Sequence, residues 1–256
     1  MSELWRFREL LYFLAWRDVK VRYKQAALGA AWAIIQPLLA MIIFSVFFGR
    51  LAGVPSDGVP YPLFSYCALV PWTYFSGTLS QAGNSLIGNS NLITKVYFPR
   101  VLLPAASALS GILDFFVGFS LVAVLMVYYH VKPGWSLVFL PIFILGMMLC
   151  SLGVGMFLAA MNVRYRDVKY AIPFLIQIGL FVTPIIYPVT FLPLKYQKIL
   201  ALNPMAGIVE GFRSCLFAQH RMNWNLVGTS CAVTVALLIV GAIYFRKTEK
   251  TFADII

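Results

Sequence analysis

The amino-acid sequence predicts an all-α membrane protein that crosses the bilayer six times and has both chain ends in the cytoplasm. The first observation behind this prediction is composition: 61% of the 256 residues are hydrophobic and only 11% are charged, whereas about 25% of an average soluble domain is charged. The second is a mean hydropathy of +0.84. The third is that Lys and Arg residues stand in short clusters between apolar runs, as cytoplasmic loops do under the positive-inside rule.

The first predicted element is an amphipathic helix over residues 1–24 that lies in the cytoplasmic interface of the membrane. Apolar residues recur there at the spacing of one helical face, while most basic residues fall on the rest of the helix. The apolar residues of that face are Leu4, Phe7, Leu11 and Leu14.

Six apolar runs follow, each close to the length of about 20 residues that a membrane-spanning helix requires. With the N-terminus inside, most of the 20 basic residues lie in segments on the cytoplasmic side. The predicted spans are residues 30–48, 63–87, 101–129, 136–161, 171–187 and 227–245.

Residues 188–220 are predicted to form short helices that re-enter the outer leaflet rather than a seventh span. Asn203-Pro204 would break a continuous helix, and a seventh span would move the basic C-terminal residues outside. Glu210 and Arg213 are three residues apart, a spacing that allows them to pair on one helical face.

The sequence contains none of the common catalytic or nucleotide-binding motifs. No GxxxxGK[ST] phosphate loop, HExxH or GxSxG occurs, and Gly153-Val154-Gly155 is interpreted as a close contact between membrane helices. We therefore expect a non-enzyme that binds no cofactor and no metal. Nucleic acid is not expected as a partner, because no basic stretch is long enough to follow a phosphate backbone.

Asp114 is an ionisable residue inside a predicted span, where a charge is costly and often functional. The favoured interpretation is a hydrogen bond to a neighbouring helix. A proton relay is the alternative, and it is weakened because the spans supply no second intramembrane charge.

Aromatic residues on the first and fifth spans could line a passage for sugar rings, whose apolar faces stack on aromatic side chains. Lipid-facing placement is the ordinary alternative for such residues. The candidates are Trp32, Phe44, Phe47, Phe174, Phe181 and Tyr187.

Four segments of the chain resemble the membrane subunit of type-2 ABC exporters of lipid-linked polysaccharides, and the O-antigen branch in particular. They occur in order over nearly the whole sequence, so their combination is far more specific than any one of them. The segments are RYKQAALGAAWAIIQP at 22–37, VPW at 70–72 with residues 91–100, RYRD at 164–167, and Asn203-Pro204 with Glu210 and Arg213.

The resemblance implies a homodimer in the bacterial inner membrane, bound to two copies of a separate ATPase subunit that holds ATP and Mg²⁺. Undecaprenyl-pyrophosphate-linked polysaccharide would be the cargo, and membrane lipids would surround the dimer. Residues 89–100 would form the coupling helix that contacts the ATPase. The residues implied for this contact are Asn91, Leu92, Lys95, Tyr97, Phe98 and Arg100.

The resemblance also implies two gates. Arg22, Lys24, Leu28 and Gly29 would form the cytoplasmic gate, where the basic side chains attract the pyrophosphate; plain positive-inside anchoring is the alternative for those two side chains. The aromatic candidates would form the glycan passage. The outer gate would contain Asn203, Pro204, Glu210 and Arg213.

Other functions remain open from the sequence. A type-2 ABC exporter of teichoic acid, capsule or a small amphipathic drug would share this architecture and differ in cargo. A membrane-embedded glycosyltransferase or acyltransferase would need an acidic or His site facing the leaflet, and a channel or scaffold would not depend on an ATPase partner.

Overall fold

The computed structural model describes residues 6–24, 29–165 and 167–252, and within these ranges its regular structure is entirely helical. The predicted all-α fold is therefore confirmed for them, while Leu4, Leu28 and Arg166 fall outside. The helices are α1 (Arg8–Lys24), α2 (Trp32–Phe44), α3 (Tyr61–Gly88), α4 (Ser90–Lys95), α5 (Leu102–Tyr128), α6 (Leu140–Arg164), α7 (Val168–Val182), α8 (Leu194–Leu200), α9 (Pro204–Leu216) and α10 (Trp224–Thr248).

Shorter helical turns adjoin several of these helices. A π-helical segment continues α2 to Leu51, and its bounds are Ser45–Leu51. The 3-10 turns are Gly29–Ala31, Trp135–Phe139, Val189–Phe191 and Glu249–Thr251.

Within the described ranges, four segments are long and apolar enough to cross a membrane: Trp32–Leu51, Leu102–Tyr128, Trp135–Arg164 and Trp224–Thr248. Helix α3 has 28 residues but is largely buried by the other helices. Helix α7 has 15 residues, or about 22 Å at 1.5 Å per residue, which is shorter than a hydrocarbon core of about 30 Å. The multi-span architecture is thus present, and the six-span topology stays a prediction.

Two helices end earlier than the predicted boundaries. Helix α7 ends at Val182 rather than at 187, since Thr183 precedes Pro184 and adopts an extended conformation. Helix α4 ends at Lys95 rather than at 100, because Val96 is extended and the residue before Pro99 is also disfavoured in a helix.

Helix α3 lies at the centre of the molecule and packs against α2, α5, α6, α7 and α9. Helix α10 covers the other side of α6 through glycines. A Cβ added at Gly241 would lie 2.1 Å from the Gly153 carbonyl oxygen, and one added at Gly153 would lie 2.7 Å from the Leu238 Cα. The interpretation of Gly153 as a close helix contact is therefore confirmed.

The N-terminal helix α1 packs against α5. Leu14 and Val19 are buried in this contact, whereas Tyr12, Phe13 and Trp16 are exposed. Leu14 belongs to an apolar cluster that also contains Phe98 at the end of the α4 segment. One apolar core therefore connects α1, the α4 loop and the start of α5.

The segment after α7 forms two short helices, α8 and α9, with the break at residues 201–203. Asn203 caps α9, since its side-chain oxygen accepts a hydrogen bond from the Met205 N–H at 3.0 Å. Pro204 occupies the first turn, where its missing N–H costs nothing.

Candidate functional site

A cavity of about 260 Å³, the inner cavity, lies between α1, α2, α3 and α5. Amide, hydroxyl and aromatic side chains stand side by side in its wall. This mixture provides hydrogen-bonding groups and a flat apolar face, which is the chemistry that binds polar ring compounds. The residues used below are Arg22, Gly29, Trp32, Gln36, Thr73, Gln81 and Asp114.

Arg22 closes one side of the inner cavity. Its Nη1 donates to Asp114 Oδ2 on α5, and its Nη2 donates to Gln81 Oε1 on α3 at 2.7 Å. One side chain in the last turn of α1 thereby joins three helices. Burial lowers the pKa of the Arg22 guanidinium from its ordinary value, and the Asp18 carboxylate acts in the opposite direction.

Asp114 contacts a neighbouring helix, as the favoured interpretation expected, but its partner is a charged residue. The sequence does not show this partner, because Arg22 is 92 residues away in the chain and belongs to α1 rather than to a predicted span. The other oxygen, Asp114 Oδ1, is buried and has no hydrogen-bond partner in the described part of the chain.

Of the other residues predicted for the cytoplasmic gate, Gly29 lies in the same cavity wall as Arg22. Gly29 has a φ of +45°, in the left-handed region that favours glycine. Lys24 is the exposed last residue of α1, and Leu28 lies outside the described residues.

The aromatic candidates occupy three kinds of position. Trp32 lines the inner cavity, and Phe44 packs edge-to-face on Phe48. The Tyr187 hydroxyl points back to the carbonyl oxygens at the end of α7. The remaining three are more than half exposed on the surface of the described chain: Phe47, Phe174 and Phe181.

Some of the residues predicted for ATPase contact are exposed, and others hold the α4 segment to the apolar core. Asn91, Lys95 and Tyr97 are exposed, and Tyr97 is 89% accessible. Leu92 and Phe98 pack into the apolar core described above.

Arg100 joins the α4 loop to the C-terminal segment rather than facing outward. Its backbone N–H donates to Glu249 Oε1 at 3.0 Å, its guanidinium donates to the Glu249 carbonyl oxygen, and it lies over the Phe252 ring.

Arg213, on α9, is fully buried and joins this helix to the segment that follows α7 and to α3. Its guanidinium donates to the carbonyl oxygens of Pro184 at 2.6 Å and Ile185 at 2.8 Å. A longer contact of 3.4 Å reaches the Phe64 carbonyl, and the guanidinium lies 3.5 Å from the centre of the Phe64 ring. The possible pairing of Arg213 with Glu210 does not occur among the ion pairs of the described residues, where Arg213 instead donates to backbone carbonyl oxygens.

Glu210 instead contacts His220, with 2.8 Å between Oε1 and Nε2. The other ring nitrogen of His220 lies 3.6 Å from Asp57 Oδ2 in the loop before α3, and Thr190 donates to Asp57. Reasoning from the sequence missed this contact, since the two carboxylates come from different segments. Among the described residues, no group of His, Cys, Asp and Glu is placed to bind a metal ion.

Comparison with known proteins agrees with the resemblance to type-2 ABC exporters over most of the chain. Residues 9–217 match the family described as ABC-2 type transporter. The O-antigen export system permease protein RfbA of Myxococcus xanthus is 30% identical over 99% of this chain and 98% of that protein. A Klebsiella pneumoniae protein of the same name is 28% identical over 97% of this chain and 95% of its own length. The polysialic acid transport protein KpsM of Escherichia coli is 21% identical over 91% of each chain.

Proposed function

Because this chain belongs to the ABC-2 type transporter family, we propose that it is the membrane subunit of an ATP-driven exporter of lipid-linked polysaccharide. The favoured cargo is O-antigen on an undecaprenyl-pyrophosphate carrier, moved from the cytoplasmic to the outer side of the bacterial inner membrane. The names of the full-length relatives, which concern O-antigen and polysialic acid, support a polysaccharide over a small drug.

The inner cavity is the observation that carries the proposal. A diphosphate headgroup needs cations at the cytoplasmic membrane surface, and Arg22 and Lys24 stand at the end of the N-terminal helix. The sugar next to the diphosphate needs hydrogen-bonding groups and an aromatic face, and Gln36, Thr73 and Trp32 supply both in the cavity wall.

A separate ATPase would supply the energy, since the chain has no phosphate-binding loop. Tyr97 and Lys95 would contact this partner from the exposed side of the α4 loop, while Phe98 holds the loop to the apolar core. Movement of the ATPase would then reach α5 directly, and through Arg100 it would also reach the C-terminal segment.

A second copy of the chain would complete the passage. In one protomer the exposed aromatic side chains Phe47, Phe174 and Phe181 face away from the described core. A homodimer that brings these surfaces together would give the glycan a series of flat faces to slide along, with α8 and α9 at the outer end.

A transferase would be the main alternative from another class. The Asp57–His220–Glu210 group supplies acids and an imidazole, but none of its three residues lines the inner cavity. Exporters of teichoic acid and capsule differ from this proposal only in their cargo. Complementation of export-deficient strains distinguishes them by the polymer that accumulates.

The experiment is complementation of a strain that lacks its own O-antigen export permease. The wild-type chain, expressed with its cognate ATPase, is expected to restore surface polysaccharide on immunoblots, whereas Arg22→Gln/Lys24→Gln is expected to leave the polymer inside. Lys195→Gln, an exposed lysine on α8, is the matched control. Copurification of the ATPase should be unchanged in all three, and normal export by the double variant would contradict the headgroup role.

A further inference from the structure

We infer that the contact of Arg22 with Asp114 and Gln81 is a gate that the cargo itself opens. The inference rests on the proposed function, since it assigns the event by which the diphosphate headgroup gains access to the inner cavity. Asp114 accepts a hydrogen bond from the Arg22 guanidinium, which is the group that the headgroup would bind.

The position of the contact between two cavities is the first argument. A second cavity of about 610 Å³, the vestibule, opens beside the junction of α3 and α4 and is lined by Arg17, Val21 and Asn89, among others. Arg22 and Gln81 line both cavities, and they are the residues common to the two walls. Their mutual hydrogen bond therefore lies in the partition between the vestibule and the inner cavity.

The second argument is that the contact uses only one of the two Asp114 carboxylate oxygens. Only Oδ2 receives a guanidinium N–H, and Oδ1 is buried without a partner in the part of the chain that the structure describes. A guanidinium binds a phosphate through two parallel hydrogen bonds, and a diphosphate offers more oxygens than one carboxylate. An entering diphosphate can therefore compete for Arg22.

The third argument is that neither of the neighbouring charged residues, Asp18 and Lys24, competes with Arg22 for Asp114 or for the diphosphate at the partition. Asp18 stands one helical turn before Arg22, but its carboxylate accepts from Arg17 at 2.9 Å. Lys24 is exposed beyond the partition and can hold part of the headgroup without closing the cavity.

The fourth argument is that the last turn of α1 can move while the middle of the helix stays packed against the protein. Leu14 and Val19 keep the middle of the helix buried, whereas Arg22 is in its last turn. Transfer of Arg22 from Asp114 to the diphosphate would free this turn to move aside. The carboxylate of Asp114 would then face the inner cavity, where it can accept hydrogen bonds from the first sugar.

The test measures access to the inner cavity in the complex with its ATPase, reconstituted in lipid nanodiscs. Thr73→Cys places a thiol in the inner cavity and Val21→Cys places one in the vestibule, each in a Cys231→Ser background because Cys231 is the exposed native cysteine. A charged, membrane-impermeant maleimide is the probe. The vestibule thiol is expected to react at the same rate in every condition.

Asp114→Asn is expected to raise the labelling rate of the Thr73→Cys thiol roughly tenfold without cargo, the size of a typical coupling between two sites. Undecaprenyl pyrophosphate is expected to raise it in the otherwise unchanged chain, and inorganic pyrophosphate to do so only at much higher concentration. Arg22→Asp/Asp114→Arg restores an ion pair and should return the slow rate, which undecaprenyl pyrophosphate then fails to raise.

Equal labelling of Thr73→Cys with and without Asp114→Asn would overturn the gate. A response of the exchanged pair to undecaprenyl pyrophosphate would show that the contact is structural only, and would overturn it as well. Both outcomes leave polysaccharide export by the wild-type chain intact, so they are distinct from a failure of the proposed function, in which the complementation experiment itself gives no surface polymer.

Discussion

Replacing Arg213 by Met should weaken the contact between α9 and the segment that follows α7. The methionine fills much of the same volume, so the main loss is that the carbonyl oxygens of Pro184 and Ile185 no longer receive their hydrogen bonds of 2.6 and 2.8 Å. Hydrogen bonds to a charged group are worth about 1.5–3 kcal/mol each. The expected loss of stability is therefore about 3–6 kcal/mol.

Thermal unfolding of the detergent-purified chain measures this loss. A change of 1 kcal/mol shifts the Tm of a protein of 150–250 residues by about 2–4 °C, so the low end of both ranges gives a fall of about 6 °C. Arg213→Lys keeps the charge but not the planar guanidinium, and its Tm should lie between those of the wild-type chain and Arg213→Met. Arg221→Met removes an exposed arginine on the same side and should leave the Tm unchanged. A Tm for Arg213→Met equal to that of this control would refute the reasoning.

Three further substitutions test other parts of the structure. Gly241→Ala puts a methyl group against the Gly153 carbonyl and should lower the free energy of unfolding by about 1–3 kcal/mol. Gly228→Ala on the same helix meets no atom within 4 Å and should leave it unchanged. Equal effects of the two substitutions would contradict the close contact of α6 and α10. Tyr97→Ala should reduce copurification of the ATPase without lowering the Tm, and full retention of the ATPase would remove this residue from the docking surface. Asn203→Ala should lower stability by about 1 kcal/mol through loss of the helix cap, and an unchanged Tm would show that α9 does not depend on it.

The local features of the fold could be predicted because they depend on neighbouring residues. The break before α9 was visible in Asn203-Pro204, since an Asn cap followed by a proline specifies a helix start. The same reasoning placed two helix ends a few residues too far along the chain, since α4 ends at Lys95, before Pro99, and α7 ends at Val182, before Pro184.

The contacts within the candidate site depend on residues that are far apart in the sequence. Arg22 was identified as a headgroup cation, but neither its spacing nor its charge pointed to Asp114, since the two meet only when α1 packs on α5. Arg213 was expected to pair with Glu210, its neighbour on the helix, and the buried carbonyl oxygens that it contacts carry no signal in the sequence.

Transport into inside-out membrane vesicles tests the central claim most directly. Vesicles that contain the chain and its cognate ATPase would be loaded in the outer leaflet with undecaprenyl-pyrophosphate-linked O-antigen, and the fraction of glycan protected from an added glycosidase would be measured. The account predicts that ATP increases the protected fraction, and that Arg22→Gln/Lys24→Gln removes the increase while the ATPase remains bound. Glycan that stays fully accessible in the presence of ATP and an active wild-type complex would contradict it.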